Sequence, residues 1–110
     1  MIIPIRYGIY LANLNPALGS EIKKTRPVVV ISQDAMNRHL DTVVICPLTT
    51  KLHPDWRSRI QITCAGSKAE LAVDQIRAIS KQRLIKKYDT LKAKDAETLR
   101  GLIVEMYGLE

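Results

Sequence analysis

Through its first eighty positions the chain repeats apolar residues every second place or in unbroken runs, and only near the C-terminus does the spacing become that of a helix. Tyr7 to Leu14 sets Tyr7, Ile9 and Leu11 on one parity and Tyr10, Ala12 and Leu14 on the other, which predicts a largely buried first strand. Asn13-Leu14-Asn15-Pro16 ends it with turn residues, and a polar loop continues through Gly19 to Thr25. At about ten residues the loop exceeds most connections, a mark of a functional segment. Pro27 holds Arg26 extended at the mouth of a second strand, Arg26 to Ser32, whose β-branched run suits burial on both faces. After a short helical turn or loop over Gln33 to Asn37, Thr42 to Leu48 reads as a third, apolar strand. Pairing there should stop or bulge at Pro47 and leave Thr49 and Thr50 just past the strand.

Lys51 to Arg57 is a second loop, with His53, Pro54 and Trp56. Arg59 to Cys64 alternates polar and apolar, the pattern of a half-exposed antiparallel strand. Ala65-Gly66-Ser67-Lys68 is a hairpin turn, and the returning strand, Ala69 to Ile79, carries Asp74 and Gln75. Lys81 to Lys87 is a basic stretch suited to a single helical turn. Asp95 is placed to cap a C-terminal helix whose Leu99, Leu102, Ile103 and Met106 form one apolar stripe, with Glu97, Arg100 and Glu105 facing away and Gly108 as the stop. The elements predict one domain over residues 1–110, mainly β with α: a small, strongly bent antiparallel sheet or barrel closed by a helix.

Charge sharpens this picture. The net charge is +6, but residues 1–94 hold sixteen basic and seven acidic side chains, a net of +9, while residues 95–110 hold one basic and four acidic, a net of −3. The positive field belongs to the body and attracts polyanions, nucleic acid first, with an acidic protein or anionic membrane surface behind it. No apolar run is long enough for a membrane span, and Met1-Ile2-Ile3-Pro4 is no signal peptide, so the expected location is the cytoplasm. Cys46 and Cys64 sit among strand formers, as buried thiols in a reducing compartment would.

The chain has no P-loop, dinucleotide-binding glycine fingerprint, serine-hydrolase motif or paired His and Cys clusters, so no metal or cofactor is expected. What remains is polar residues at strand ends: Ser20, Glu21 and Arg26; Thr49 and Thr50; Asp74 and Gln75. RNA brings its own nucleophile, the 2′-hydroxyl, and needs only a base, an acid and a cation near the phosphate. The bland alternatives are an Arg26–Glu21 surface ion pair, threonines that satisfy strand-end backbone, and an Asp74–Arg77 pair or turn.

Asn15-Pro16, Gly19-Ser20-Glu21, Lys24-Thr25-Arg26-Pro27-Val28-Val29-Val30-Ile31-Ser32, Pro47-Leu48-Thr49-Thr50 and Asp74-Gln75-Ile76-Arg77-Ala78-Ile79 with Lys81-Gln82-Arg83-Leu84 resemble, in order, the MazF/PemK toxin family. The resemblance implies an SH3-like (CcdB/PemK-type) barrel homodimer. It further implies a metal-independent, sequence-selective endoribonuclease that cuts single-stranded messenger RNA to 2′,3′-cyclic phosphate and 5′-hydroxyl ends and is restrained by a cognate antitoxin. Arg26 and Thr49 fall on the family's catalytic arginine and threonine, and Glu21 and Asp74 on acidic or polar site positions. Ser20 and Ala72 replace a histidine and an arginine of the PemK branch, which leaves the general base and acid open. With no Phe, the gate in the first loop falls to Leu18 or Tyr7. Ser20, Lys24, Thr50, Trp56, Arg57 and Gln75 are the expected RNA contacts, Trp56 by stacking or else as a rim residue. Rival readings are a CcdB-like toxin that binds a protein such as gyrase, and a nucleic-acid-binding barrel without catalysis.

Overall fold

The computed structural model describes residues 2–108; Met1, Leu109 and Glu110, the last of the four tail acids, lie outside the described residues. Seven strands form one curled antiparallel sheet: β1 (Gly8–Asn13), β2 (Thr25–Val30), β3 (Thr42–Thr49), β4 (Arg59–Cys64), β5 (Ser67–Ala72), β6 (Arg77–Ser80) and β7 (Leu84–Thr90). Two helices, α1 (Asp34–His39) and α2 (Ala93–Ile103), complete it. The strand order is β4-β5-β3-β2-β1-β7, with β6 also on β3. The expected bent sheet with a C-terminal helix is therefore the fold observed.

The central strands are buried on both faces, as their β-branched runs require. Val29 joins Ile9, Cys46, Leu48 and Leu71 in one core, which α2 covers with Ala96 and Leu99. Val28 and Val30 point the other way, into a second core with Tyr10, Ala12, Leu14, Val43 and Ile45. Gly8 permits the first strand to start: a Cβ there would meet the Tyr10 ring at 2.7 Å. Ala65 and Gly66, with φ of 49° and 80°, alone close the β4–β5 hairpin, a tighter turn than the four residues expected.

Four expectations need correction. Pro47 does not end β3; it sits opposite Val28, and pairing passes to β5 through Leu48 and Thr49, so Thr49 is in the strand and Thr50 outside it. The returning strand is broken, because a 3-10 turn, Val73–Gln75, interrupts the pairing along one edge of β3, between β5 at Thr49–Leu48 and β6 at Ile45–Thr42. The basic stretch winds only over Lys81–Arg83 and then becomes the edge strand β7, of which Leu84 alone is buried. With no apolar face turned to a core, β7 leaves no period-two signature. Finally, α2 starts at Ala93 behind Lys92, which makes no side-chain cap; Asp95 sits in the first turn, where the helix dipole favours a carboxylate.

Candidate active site

The β2–β3 pairing ends at Val28–Pro47, and just beyond it lie Arg26 on β2 and Thr49 on β3. The two line one cavity of about 200 Å³ with Thr50, Lys68 and Tyr88. Arg26 is half-buried and spends only its Nε hydrogen, on the carbonyl of Lys23 at 3.2 Å. No carboxylate pairs with it among the described residues, so the Arg26–Glu21 ion pair does not form and the guanidinium fork stays open to an anion. The Thr49 hydroxyl oxygen accepts the Lys51 amide at 3.1 Å, which leaves its own hydrogen to donate.

Thr49 also borders a second cavity, about 420 Å³, with Ser20, Lys51, His53, Trp56, Asp74 and Gln75. Two polar chains build it. Gln75 accepts the Ile22 amide at 2.6 Å and donates to the Ser20 carbonyl, so the Val73–Gln75 turn holds the first loop. Arg59 donates to Glu70 at 2.6 Å and to both oxygens of Asp74, at 2.8 and 3.4 Å. Glu70 is fully buried and also receives the Gln61 amide and the His53 backbone N–H. Burial is the largest influence on Glu70 and pushes its pKa up, but those hydrogen bonds and the Arg59 charge outweigh it and leave it below the usual carboxylate range. Asp74 behaves likewise: burial raises it, and Arg59 with Ser58 brings it down on balance.

Glu21 occupies the loop differently. It is exposed, one carboxylate oxygen accepts the Leu18 amide at 2.6 Å, and it borders a small cavity with Asp74, Gln75 and Arg77. Asp74 pairs with Arg59, not with Arg77. Leu18 stands out at 81% exposure at the loop tip, whereas Tyr7 packs by α2 with its hydroxyl on Arg100, so of the two gate candidates only Leu18 is at the loop. Trp56 sits at the rim at 48% exposure, stacked on His53 at 3.8 Å with the Arg59 guanidinium 4.7 Å from its ring.

The structure thus joins Arg26, Thr49 and Thr50 in one cavity, and Ser20, Thr49, Trp56, Asp74 and Gln75 in the next. It does not bring Glu21, Arg57 or Lys24 there; Glu21 borders only the small neighbouring cavity that it shares with Asp74 and Gln75. Arg57 pairs with Glu105 beside Leu102 and Met106, and Lys24 lines neither cavity, its amide turned to Asn15. Arg59, Glu70, Lys68 and Tyr88 went unmarked in the sequence. Polar residues on alternate positions of β4 and early β5 were the only trace of the first pair, and Tyr88 was hidden with β7. Burial raises both cysteine thiols, which suits inert core residues rather than nucleophiles. Among the described residues no three His, Cys, Asp or Glu side chains gather as a metal site.

Solved structures share this curled sheet. The crystal structure of MazF (Form-I) from Deinococcus radiodurans matches with a TM-score of 0.86 at 20% identity, over 99% of this chain and 100% of that one. An endoribonuclease in complex with its cognate antitoxin, from a mycobacterial species, matches at 0.79 and 20%, over 100% and 98%. In sequence, residues 5–107 fit the profile of PemK-like, MazF-like toxins of type II toxin-antitoxin systems. Endoribonuclease MazF of Staphylococcus saprophyticus is 30% identical over 109 residues, 94% of this chain and 91% of that protein. The chain belongs to the PemK/MazF-like toxin family.

Proposed function

We propose that this toxin is an endoribonuclease that cuts single-stranded RNA where its two cavities meet, and that its activity is restrained by a cognate antitoxin. The observation that carries the reading is the cavity shared by Arg26 and Thr49: a cation without a carboxylate partner among the described residues and a hydroxyl with a free hydrogen line it together. Glu21, in the small cavity that adjoins these two, keeps one oxygen uncommitted and is cast as the base that takes the proton from the 2′-hydroxyl, whereas both Asp74 oxygens are engaged by Arg59. The 2′-oxygen then attacks the adjacent phosphorus. Arg26 stabilises the charge that accumulates on the phosphoryl oxygens, Thr49 donates a hydrogen bond to one of them, and the bond from phosphorus to the 5′-oxygen breaks as that oxygen takes a proton from solvent water. The products are a 2′,3′-cyclic phosphate and a 5′-hydroxyl, and no step calls on a metal or cofactor.

Ser20, Thr50, Gln75 and the free edge of Trp56 are cast as contacts to the flanking nucleotides. The name of the staphylococcal relative supports the activity, and the antitoxin-bound mycobacterial neighbour supports the partner. We read the working form as a cytoplasmic homodimer of this one domain, residues 1–110, with an acidic antitoxin tail lying over the basic body. The test is incubation of the purified protein with a long single-stranded RNA in EDTA, followed by mapping of the ends. Discrete cuts with cyclic phosphate ends are expected. Intact RNA from folded, antitoxin-free protein would instead point to a toxin that binds a protein target.

A further inference from the structure

Lys68 and Ala69 do not only close the Arg26 cavity. They also wall a larger hollow of about 630 Å³, whose rim carries Lys92 and Lys94. Cross-strand pairing with Thr63 sets Lys68 on the β4–β5 hairpin, and Lys92 and Lys94 flank the first residue of α2. All three lysines are exposed, and none has a salt bridge among the described residues. The single carboxylate of the hollow is Asp95, while Thr63 and Gln61 add neutral polar groups.

Unpaired ammonium groups on a surface are point-charge ligands for phosphate. An RNA strand whose scissile phosphate lies between Arg26 and Thr49 must leave that cavity, and Lys68 stands on the wall shared with the hollow. We infer that the Lys68–Lys92–Lys94 hollow is an accessory RNA site that grips the phosphodiester backbone beyond the cleaved bond. This inference rests on the endoribonuclease reading. An acidic peptide would match the same charges, but only a continuous strand uses the wall that the two cavities share.

The test compares two RNAs containing one mapped cut site, a minimal oligonucleotide and the same sequence extended on both sides, against wild type and Lys92→Gln/Lys94→Gln. Both lysines are exposed, so the variant should match wild type in circular dichroism and melting. Wild type is expected to bind the extended RNA more tightly. The double variant should raise KM for the extended RNA several-fold and leave the minimal one unchanged. It should also flatten the log–log salt dependence by about 0.7 for each phosphate that the lysines no longer neutralise. Equal KM values for both lengths in wild type, or a variant indistinguishable on the extended RNA, overturn the inference and leave the endoribonuclease reading intact. If wild type cuts neither RNA, both fall. If a polyglutamate peptide loses affinity in the variant while extended-RNA kinetics do not move, the hollow is a protein-docking surface and the inference is wrong.

Discussion

Arg26 is a residue whose chemistry is nearly all still available. Its Nε is used on a backbone carbonyl, and the rest of the fork is free of protein partners among the described residues. Arg26→Ala should lower kcat by at least about a hundred-fold, the scale of losing a charge-stabilising donor, without shifting the melting temperature, because the side chain contributes little to either core. Arg26→Lys should recover only part of the activity, since an ammonium cannot reproduce the planar fork. The two acids are separable in the same assay. Glu21→Gln should cost about 10²–10⁴-fold in kcat if Glu21 is the base, whereas Asp74→Asn, which can still accept from Arg59, should retain most of it. The reverse order would move the base to Asp74.

At the scale of elements, the feature that makes the site is the break between β5 and β6. It lifts Asp74 and Gln75 out of the ladder, one toward Arg59 and the other toward the first loop. Gln75→Ala should release the Ser20–Ile22 segment, at about 1 kcal/mol, visible as faster hydrogen exchange at the Ile22 amide and a raised KM. Arg59→Met would strand the buried Glu70 charge and should destabilise the fold by about 3–5 kcal/mol. Because Glu70 and Asp74 have folded-state pKa values below their unfolded ones, their contribution is full above the unfolded values, near pH 4–5, and drains away as pH falls through the lower folded ones. Denaturant midpoints should therefore start to drop as pH falls below about 5, and Arg59→Met/Glu70→Gln should flatten that slope.

The same break explains how far the sequence could be read. Strands β2 and β3 announce themselves through unbroken β-branched runs, and Arg26 and Thr49 through the turn and proline residues around them. A three-residue 3-10 turn inside an apolar stretch leaves no mark on periodicity, so 69–79 reads as one strand. β7 is invisible for the opposite reason, since its residues after Leu84 are exposed and two irregularities interrupt its register with β1. The Arg59–Glu70–Asp74 network forms across the β4–β5 hairpin and the turn that follows it, and without that turn spacing alone could not assemble it.

At the scale of the whole molecule, charge divides the protein. The body carries a net +9 and the last sixteen residues −3, and Arg57–Glu105 ties the two regions by an exposed pair. That pair should contribute under about 1 kcal/mol, so Arg57→Ala should leave both RNA cleavage and stability near wild type. RNA association, in contrast, should weaken steeply with salt. Thr49 stands between two chambers of different make: the smaller holds the cation, and the larger holds Trp56, His53, Lys51 and Gln75. On the proposed reading, a toxin partitioned in this way can change which word it reads without changing how it cuts. Substitutions at Lys51 or Trp56 should redistribute the sequences cleaved while the turnover of each newly accepted word approaches that of the original, so related toxins can diverge in vocabulary on one unaltered blade.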